Sequence, residues 1–313
     1  MALGAPAVIP KPHTSMRHPR KARSLSRQDS VFGLLMVAPV LVYTGIFFGI
    51  PTLLMVWMSL HDWPLLGDPT FVGMGNFSTA FADPVFRHAV VFSLGYALVQ
   101  TPLVVALALL MASLVRRQSK GSALFRIIYL MPYVMGFGSS AFLWYWMVDD
   151  RTGAVKAVLL AVGINVNQSA WLSEFIPGVI VVITLTIWKT VGFFMLLMMS
   201  GMQSISDEVY EAATLDGANK VKQFFFITLP LLRPTLVMVF IFAITWGVLV
   251  FDQFYILTSG RPDNRTVSVV HWIFTNSFVR FDLGYGAALS VLVVLGLAAI
   301  TYVQLKMLRN PED

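Results

Sequence analysis

The chain has 313 residues, of which 57% are hydrophobic and only 12% charged, with a mean hydropathy of +0.74. A soluble domain averages about 25% charged residues, so half that share, with 24 Phe and 16 Met, points to lipid as the solvent. The absence of cysteine excludes a disulfide framework, thiolate metal sites and thiol catalysis. The net charge of +6 does not signal nucleic acid, because of where it falls. Lys11, Arg17, Arg20, Lys21, Arg23 and Arg27 precede the first apolar run against the single acid Asp29, and a basic tail beside a hydrophobic run is a topology signal.

Residues 1–30 therefore read as a basic, disordered cytoplasmic tail. The apolar run after it, like its leader, is too long for a cleavable signal peptide. A spanning helix needs about 20 mostly apolar residues. Six stretches qualify: 31–60, 88–115, 127–148, 176–201, 234–257 and 283–305. The central apolar stretch of the fourth holds one charge, Lys189, and the fifth meets Asp252 near its end.

The connections alternate in sign. The loop 61–86 carries Asp62, Asp68 and Asp83. The next, 116–126, carries Arg116, Arg117, Lys120 and Arg126. The loop 149–175 is mixed, 202–233 holds Lys220, Lys222 and Arg233, and the C-terminal end holds Lys306 and Arg309. Lys/Arg excess marks the cytoplasmic side. The expected fold is an all-α integral membrane domain over 31–308. It has six transmembrane helices, both termini cytoplasmic, and a short cytoplasmic tail at 309–313. The loop 258–282 is the weakest vote, since Arg261, Arg265 and Arg280 would lie outside. No non-membrane piece is long enough to fold alone.

The loop 202–233 contains "EAATLDGANKVKQFFFITLP" from Glu211 to Pro230. Ser206 can cap a helix whose first turn holds Asp207 and Glu208, where acids favour the dipole. Gly217 suits the left-handed residue that ends it. A second short helix runs from Ala218 to about Ile227, and Pro230 and Pro234 bracket the approach to the next span. The small side chains of Ala212 and Ala213 permit close approach of another backbone. A rigid, small-faced helix of this kind suits docking to a cytoplasmic partner. The alternative, a helix lying on lipid, is opposed by its acids.

These residues resemble the cytoplasmic loop of binding-protein-dependent ABC transporter permeases. The carbohydrate-type form "IPxELYEAAxxDGAxxxxxFxxITLPxLxP" reads here "ISDEVYEAATLDGANKVKQFFFITLPLLRP", with Ser206 in place of the proline. "FVGMGNF", "FRIIYLMPYV", "IWKTVGFFMLLMMSGMQSI", "TSGRPDNRT" and "GYGAALS" resemble further family stretches in order, so that the likeness covers about residues 31–308. Arg261 stands where the family usually has a second glycine.

The resemblance implies a transport subunit that does no covalent chemistry. It implies a second similar permease, two ATPase subunits and an extracytoplasmic solute-binding protein as partners, with a mono- or oligosaccharide as cargo. Glycerol-3-phosphate is the main competing substrate. The loop would be a coupling helix seated on an ATPase, with Glu211, Ala212, Ala213, Asp216, Gly217, Ile227, Leu229 and Pro230 carrying the contact. The chain holds no Gly-x-x-x-x-Gly-Lys-[Ser/Thr] phosphate loop, so ATP and Mg would be bound by the partner ATPases and no cofactor by this chain.

Polar groups inside spans are functional candidates by default. Thr186, Lys189, Thr190 and Phe193 share one helix face by their i, i+3, i+4, i+7 spacing, a stripe that would suit a sugar. The other reading has Lys189 paired with a carboxylate and the threonines bonded to their own backbone. In the fifth span Trp246, Gly247 and Val250 share a face. Trp246 could stack on a pyranose and Gly247 could give it room, or both could be ordinary packing. Asp252 reads as structural, paired with Lys189 or an arginine. The five histidines show no metal spacing, and no nucleophile constellation is visible. The other classes left open are an integral-membrane enzyme and a secondary transporter, both short of intramembrane acid/base or ion-coupling residues.

Overall fold

The computed structural model describes residues 27–115, 122–149, 152–163 and 171–308. The basic tail up to residue 26, the cluster Arg116, Arg117 and Lys120, and the tail 309–313 lie outside these residues. The chain falls into two compact units, Met1–Thr52 and Leu53–Asp313.

In the first unit a helix runs over Arg27–Thr44, so residues 27–30, expected in the tail, already form its first turn. It continues through a π-helical turn, Gly45–Gly49. The apolar stretch α1 (Leu34–Ser59) is long enough to cross a membrane. The wide turn ends just before Pro51, whose missing N–H and ring clash disturb the ladder one turn back. A second π turn, Phe224–Thr228, stands in the same relation to Pro230.

The second unit is built from α2 (Pro84–Val115), α3 (Ala123–Val134), α4 (Phe137–Met147), α5 (Phe175–Gln203), α6 (Asp207–Leu215), α7 (Arg233–Val248), α8 (Asp252–Leu257), α9 (Val269–Phe274) and α10 (Leu283–Lys306). A two-residue hairpin pairs His61 with Phe71 and Asp62 with Thr70. Among the described residues five helices are long and apolar enough to cross a membrane, counting α7 and α8 together as Arg233–Leu257. The number is six if α3 and α4 form one span.

The stretch 127–148 is not the single helix its composition suggests. α3 and α4 meet at 96°. Pro132 withdraws an N–H from the last turn of α3, and Gly136 takes an extended backbone at the start of α4. The carbonyls freed at this break find a donor in α5: Lys189 Nζ donates to Pro132 O at 3.1 Å and to Met135 O, and lies over the Phe137 ring at 4.6 Å. Irregular backbone survives at membrane depth only where protein satisfies it in this way.

The core is the crossing of α2, α5 and α7. Val104 and Ala108 meet Phe194, Met195 and Met198, with Val239 and Ala243 closing the third side. Small residues at such crossings let membrane helices approach closely. Further along, Phe92 and Tyr96 pack with Val182, Leu185, Val250 and Phe254.

At the other end of these helices the segment 258–282, expected as a loop, is folded. Its helix α9 continues through a π turn, Thr275–Val279, and packs Trp272 against Phe86 and Tyr285. Asp83 ties it down by accepting from Trp272 Nε1 and Tyr285 Oη, both at 2.8 Å, and from Val85 N. Burial would raise the Asp83 pKa, but these bonds outweigh it and hold the carboxyl below its ordinary value. Arg261 does not need the freedom of a glycine, because the left-handed residues here are Ser259 and Gly260 before it and Asp263 and Asn264 after it.

Candidate functional site

The loop between α5 and α7 has the form its sequence predicts. Ser206 is extended, and its side chain accepts from Glu208 N at 3.2 Å, capping α6. Gly217 ends the helix at φ +78°. Ala218 N bonds Ala213 O at 2.9 Å and Gly217 N bonds Thr214 O at 3.0 Å, the paired closure of a Schellman motif. Asn219 then caps the next helix through Lys222 N at 2.9 Å. That helix, Lys220–Gln223, leads into the π turn and the short Leu229–Leu231 piece, so Ile227, Leu229 and Pro230 all lie on helical backbone.

Tyr210 and Thr228 hydroxyls meet at 3.0 Å and Gln223 Nε2 reaches Thr214 Oγ1 at 2.9 Å. The two helices therefore brace each other. No α6 residue is buried. Glu211, Ala212, Asp216, Gly217 and Pro230 are exposed, and Ala213, Ile227 and Leu229 are half-buried. Leu215, which the sequence reading did not single out as a site residue, is 90% exposed. Beside the loop a cavity of about 930 Å³ opens, lined by Leu114, Ile205, Tyr210, Lys220 and Thr228 among others.

The membrane-depth candidates divide. Thr186, Thr190, Trp246, Gly247 and Val250 line one small cavity of about 20 Å³ at the α2–α5–α7 crossing. Lys189 and Phe193 do not line it. Lys189 is only 1% exposed and is engaged at the α3–α4 break. Its expected carboxylate partner is not there: Asp252 makes no ion pair among the described residues and instead opens the first turn of α8.

Phe193 stacks on Tyr133, with ring centres 4.5 Å apart, and both rings lie beside Trp246. Gly247 does not give Trp246 room for a ligand. A Cβ there would lie 2.9 Å from Ala97 Cα, so the glycine serves the approach of α2 to α7. The threonine hydroxyls bond their own helix, Thr186 to Val182 O at 2.9 Å and Thr190 to Thr186 O at 2.7 Å. Thr186 also meets Tyr96 Oη at 2.9 Å.

The sequence reading missed Tyr96 and Gln100, which line the same cavity together with Gln253. The signal was present, since a glutamine within an apolar run is as costly as a lysine stripe is conspicuous. Among the described residues no group of three or more His, Asp and Glu is placed to hold a metal ion.

Apolar helices long enough to cross a membrane, with a capped helical loop between two of them, define a multi-pass membrane protein. The chain belongs to the family of binding-protein-dependent transport system inner membrane components, whose description matches residues 104–309. It is 31% identical to the trehalose/maltose transport system permease protein MalF of Thermococcus litoralis, over 92% of this chain and 97% of that one. It is 30% identical to the sulfoquinovosyl glycerol transport system permease protein SmoG of Agrobacterium fabrum, over 94% and 96%. A chain in the crystal structure of a bacterial alginate ABC transporter, in complex with its alginate pentasaccharide-bound periplasmic protein, has the same fold. Its TM-score is 0.79 at 18% identity, covering 90% of this chain and 95% of that one.

Proposed function

We propose that this chain is one of two permease subunits of an ATP-driven importer for a mono- or oligosaccharide, with six spans and both termini cytoplasmic. The broken pair α3–α4 is the third of those spans. A solute-binding protein delivers the sugar on the outer face. Two ATPase subunits, which hold the ATP and Mg, engage the loop 206–230 on the inner face. Closure of the ATPases moves that loop, and α5 and α7, which flank it, transmit the movement to the crossing with α2.

One observation carries this reading: the exposed helix α6, Asp207–Leu215, capped by Ser206 and closed by Gly217, sits between two spans in a chain of this family. The cargo class rests on the trehalose/maltose relative and on the polar, aromatic-rimmed cavity at the crossing. The test is uptake of radiolabelled disaccharides into vesicles holding the chain with the permease, ATPase and binding-protein products of its neighbouring genes. Uptake that requires ATP inside and the binding protein outside supports the proposal. Uptake by this chain alone contradicts it.

A further inference from the structure

The eleven residues lining the cavity at the α2–α5–α7 crossing include no charged side chain. Lys189, which lies in sequence between the lining residues Thr186 and Thr190, is held by the Pro132 and Met135 carbonyls. Most polar groups here are already engaged: Tyr96 with Thr186, and both threonines with their own helix. Gln100 differs. It is 2% exposed, and its side-chain carbonyl oxygen has no partner among the described residues. That oxygen lies where α2 passes close to α7, 3.3 Å from where a Cβ on Gly247 would stand.

Building on the importer reading, we infer that Gln100 is the specificity-determining residue of a neutral gate, which passes uncharged polyhydroxylated solutes and rejects anions. A buried acceptor with no protein partner costs free energy unless solvent reaches it, and the void of about 20 Å³ beside it holds no more than a single water. When α2 and α7 part, a cargo hydroxyl supplies the missing donor. The binding energy of the cargo is thereby realised in the open path. An anion finds no cation in this lining and so meets a larger desolvation cost than an uncharged cargo.

The test uses the complete transporter in vesicles, wild type against Gln100→Leu and Gln100→Asn, with maltose, lactose and glycerol-3-phosphate as probes. Gln100→Leu removes an unsatisfied group, so the complex melts at the wild-type temperature or above it. Disaccharide uptake nevertheless falls by about tenfold, the loss of one made hydrogen bond. Gln100→Asn, which keeps the carbonyl on a shorter arm, loses less. Glycerol-3-phosphate is not taken up by any of the three. Wild-type uptake by Gln100→Leu, or a loss that tracks a lowered melting temperature, overturns the gate. Uptake of glycerol-3-phosphate overturns its neutrality and leaves the importer reading standing. Disaccharide uptake that persists without ATP overturns the importer reading itself.

Discussion

The ammonium of Lys189 is bound to backbone, within reach of two carbonyls and of Ser140 Oγ at 3.4 Å. Lys189→Met would leave both carbonyls unpaired in an apolar interior, at about 1–3 kcal/mol each. The expected outcome is a lower melting temperature in detergent and a lower yield of folded protein. Thr190→Val, which loses only a bond to its own helix, should cost about 1 kcal/mol or less. A Lys189→Met protein of undiminished stability would return the lysine to the cargo path. Gly247→Ala meets Ala97 at 2.9 Å and should cost about 1–3 kcal/mol by overpacking, with Ala97→Gly recovering part of it. At the far end, burial pushes His271 down to about 4 from 6.5, and the Asp83 carboxyl is also held low. Both groups bind protons more weakly folded than unfolded. The stability from His271 is therefore complete above about 6.5 and falls away as the pH drops to about 4. That from Asp83 is lost below 3.8, as the pH falls through its depressed folded value. Melting curves should show this acid sensitivity, and His271→Leu should flatten the upper part of it.

Among the elements, the loop 206–230 was the most legible, because its structure is local. Ser206, Gly217 and Asn219 each act within three residues of themselves, and caps and left-handed turns are written in residue type. Gly217 makes a clean test: a Cβ there meets nothing, so only its backbone angle resists substitution. Gly217→Asn, tolerant of positive φ, should be close to wild type, and Gly217→Val should cost about 1–2 kcal/mol of loop stability. The break between α3 and α4 was not legible. Apolar composition runs unchanged through Pro132 and Gly136, and the donor that satisfies the break lies 57 residues from Pro132. The fold of 258–282 was hidden for the same reason. Its anchor is Asp83, 189 residues from Trp272 and 202 from Tyr285. The topology proposed here has a direct check, since the natural chain holds no cysteine. A single cysteine at Glu211 should react with an impermeant maleimide only from the cytoplasmic side, and one at Asp68 only from the outside.

For the whole molecule, the sequence brought together part of one cavity but not the side chains that complete it. Thr186, Thr190, Trp246, Gly247 and Val250 do converge on one cavity, because helical spacing fixes which side chains share a face. The stripe as a whole did not survive: Lys189 turns to the broken span and Phe193 to Tyr133. Which helix faces that stripe is a tertiary fact, and it decided that Tyr96 and Gln100 of α2 complete the cavity. The account then rests on one mechanical claim, that the loop 206–230 is where force enters this subunit. The most direct measurement is co-purification in detergent of this chain with its neighbouring-gene products, wild type against Gly217→Asn and Gly217→Val, with ATP hydrolysis followed in each complex. The account predicts that wild type and Gly217→Asn retain an ATPase whose activity responds to the loaded binding protein. Gly217→Val should lose that ATPase or its response while still inserting in the membrane. A Gly217→Val complex that keeps both, or a wild-type chain that is stable alone and still moves a solute, would contradict it.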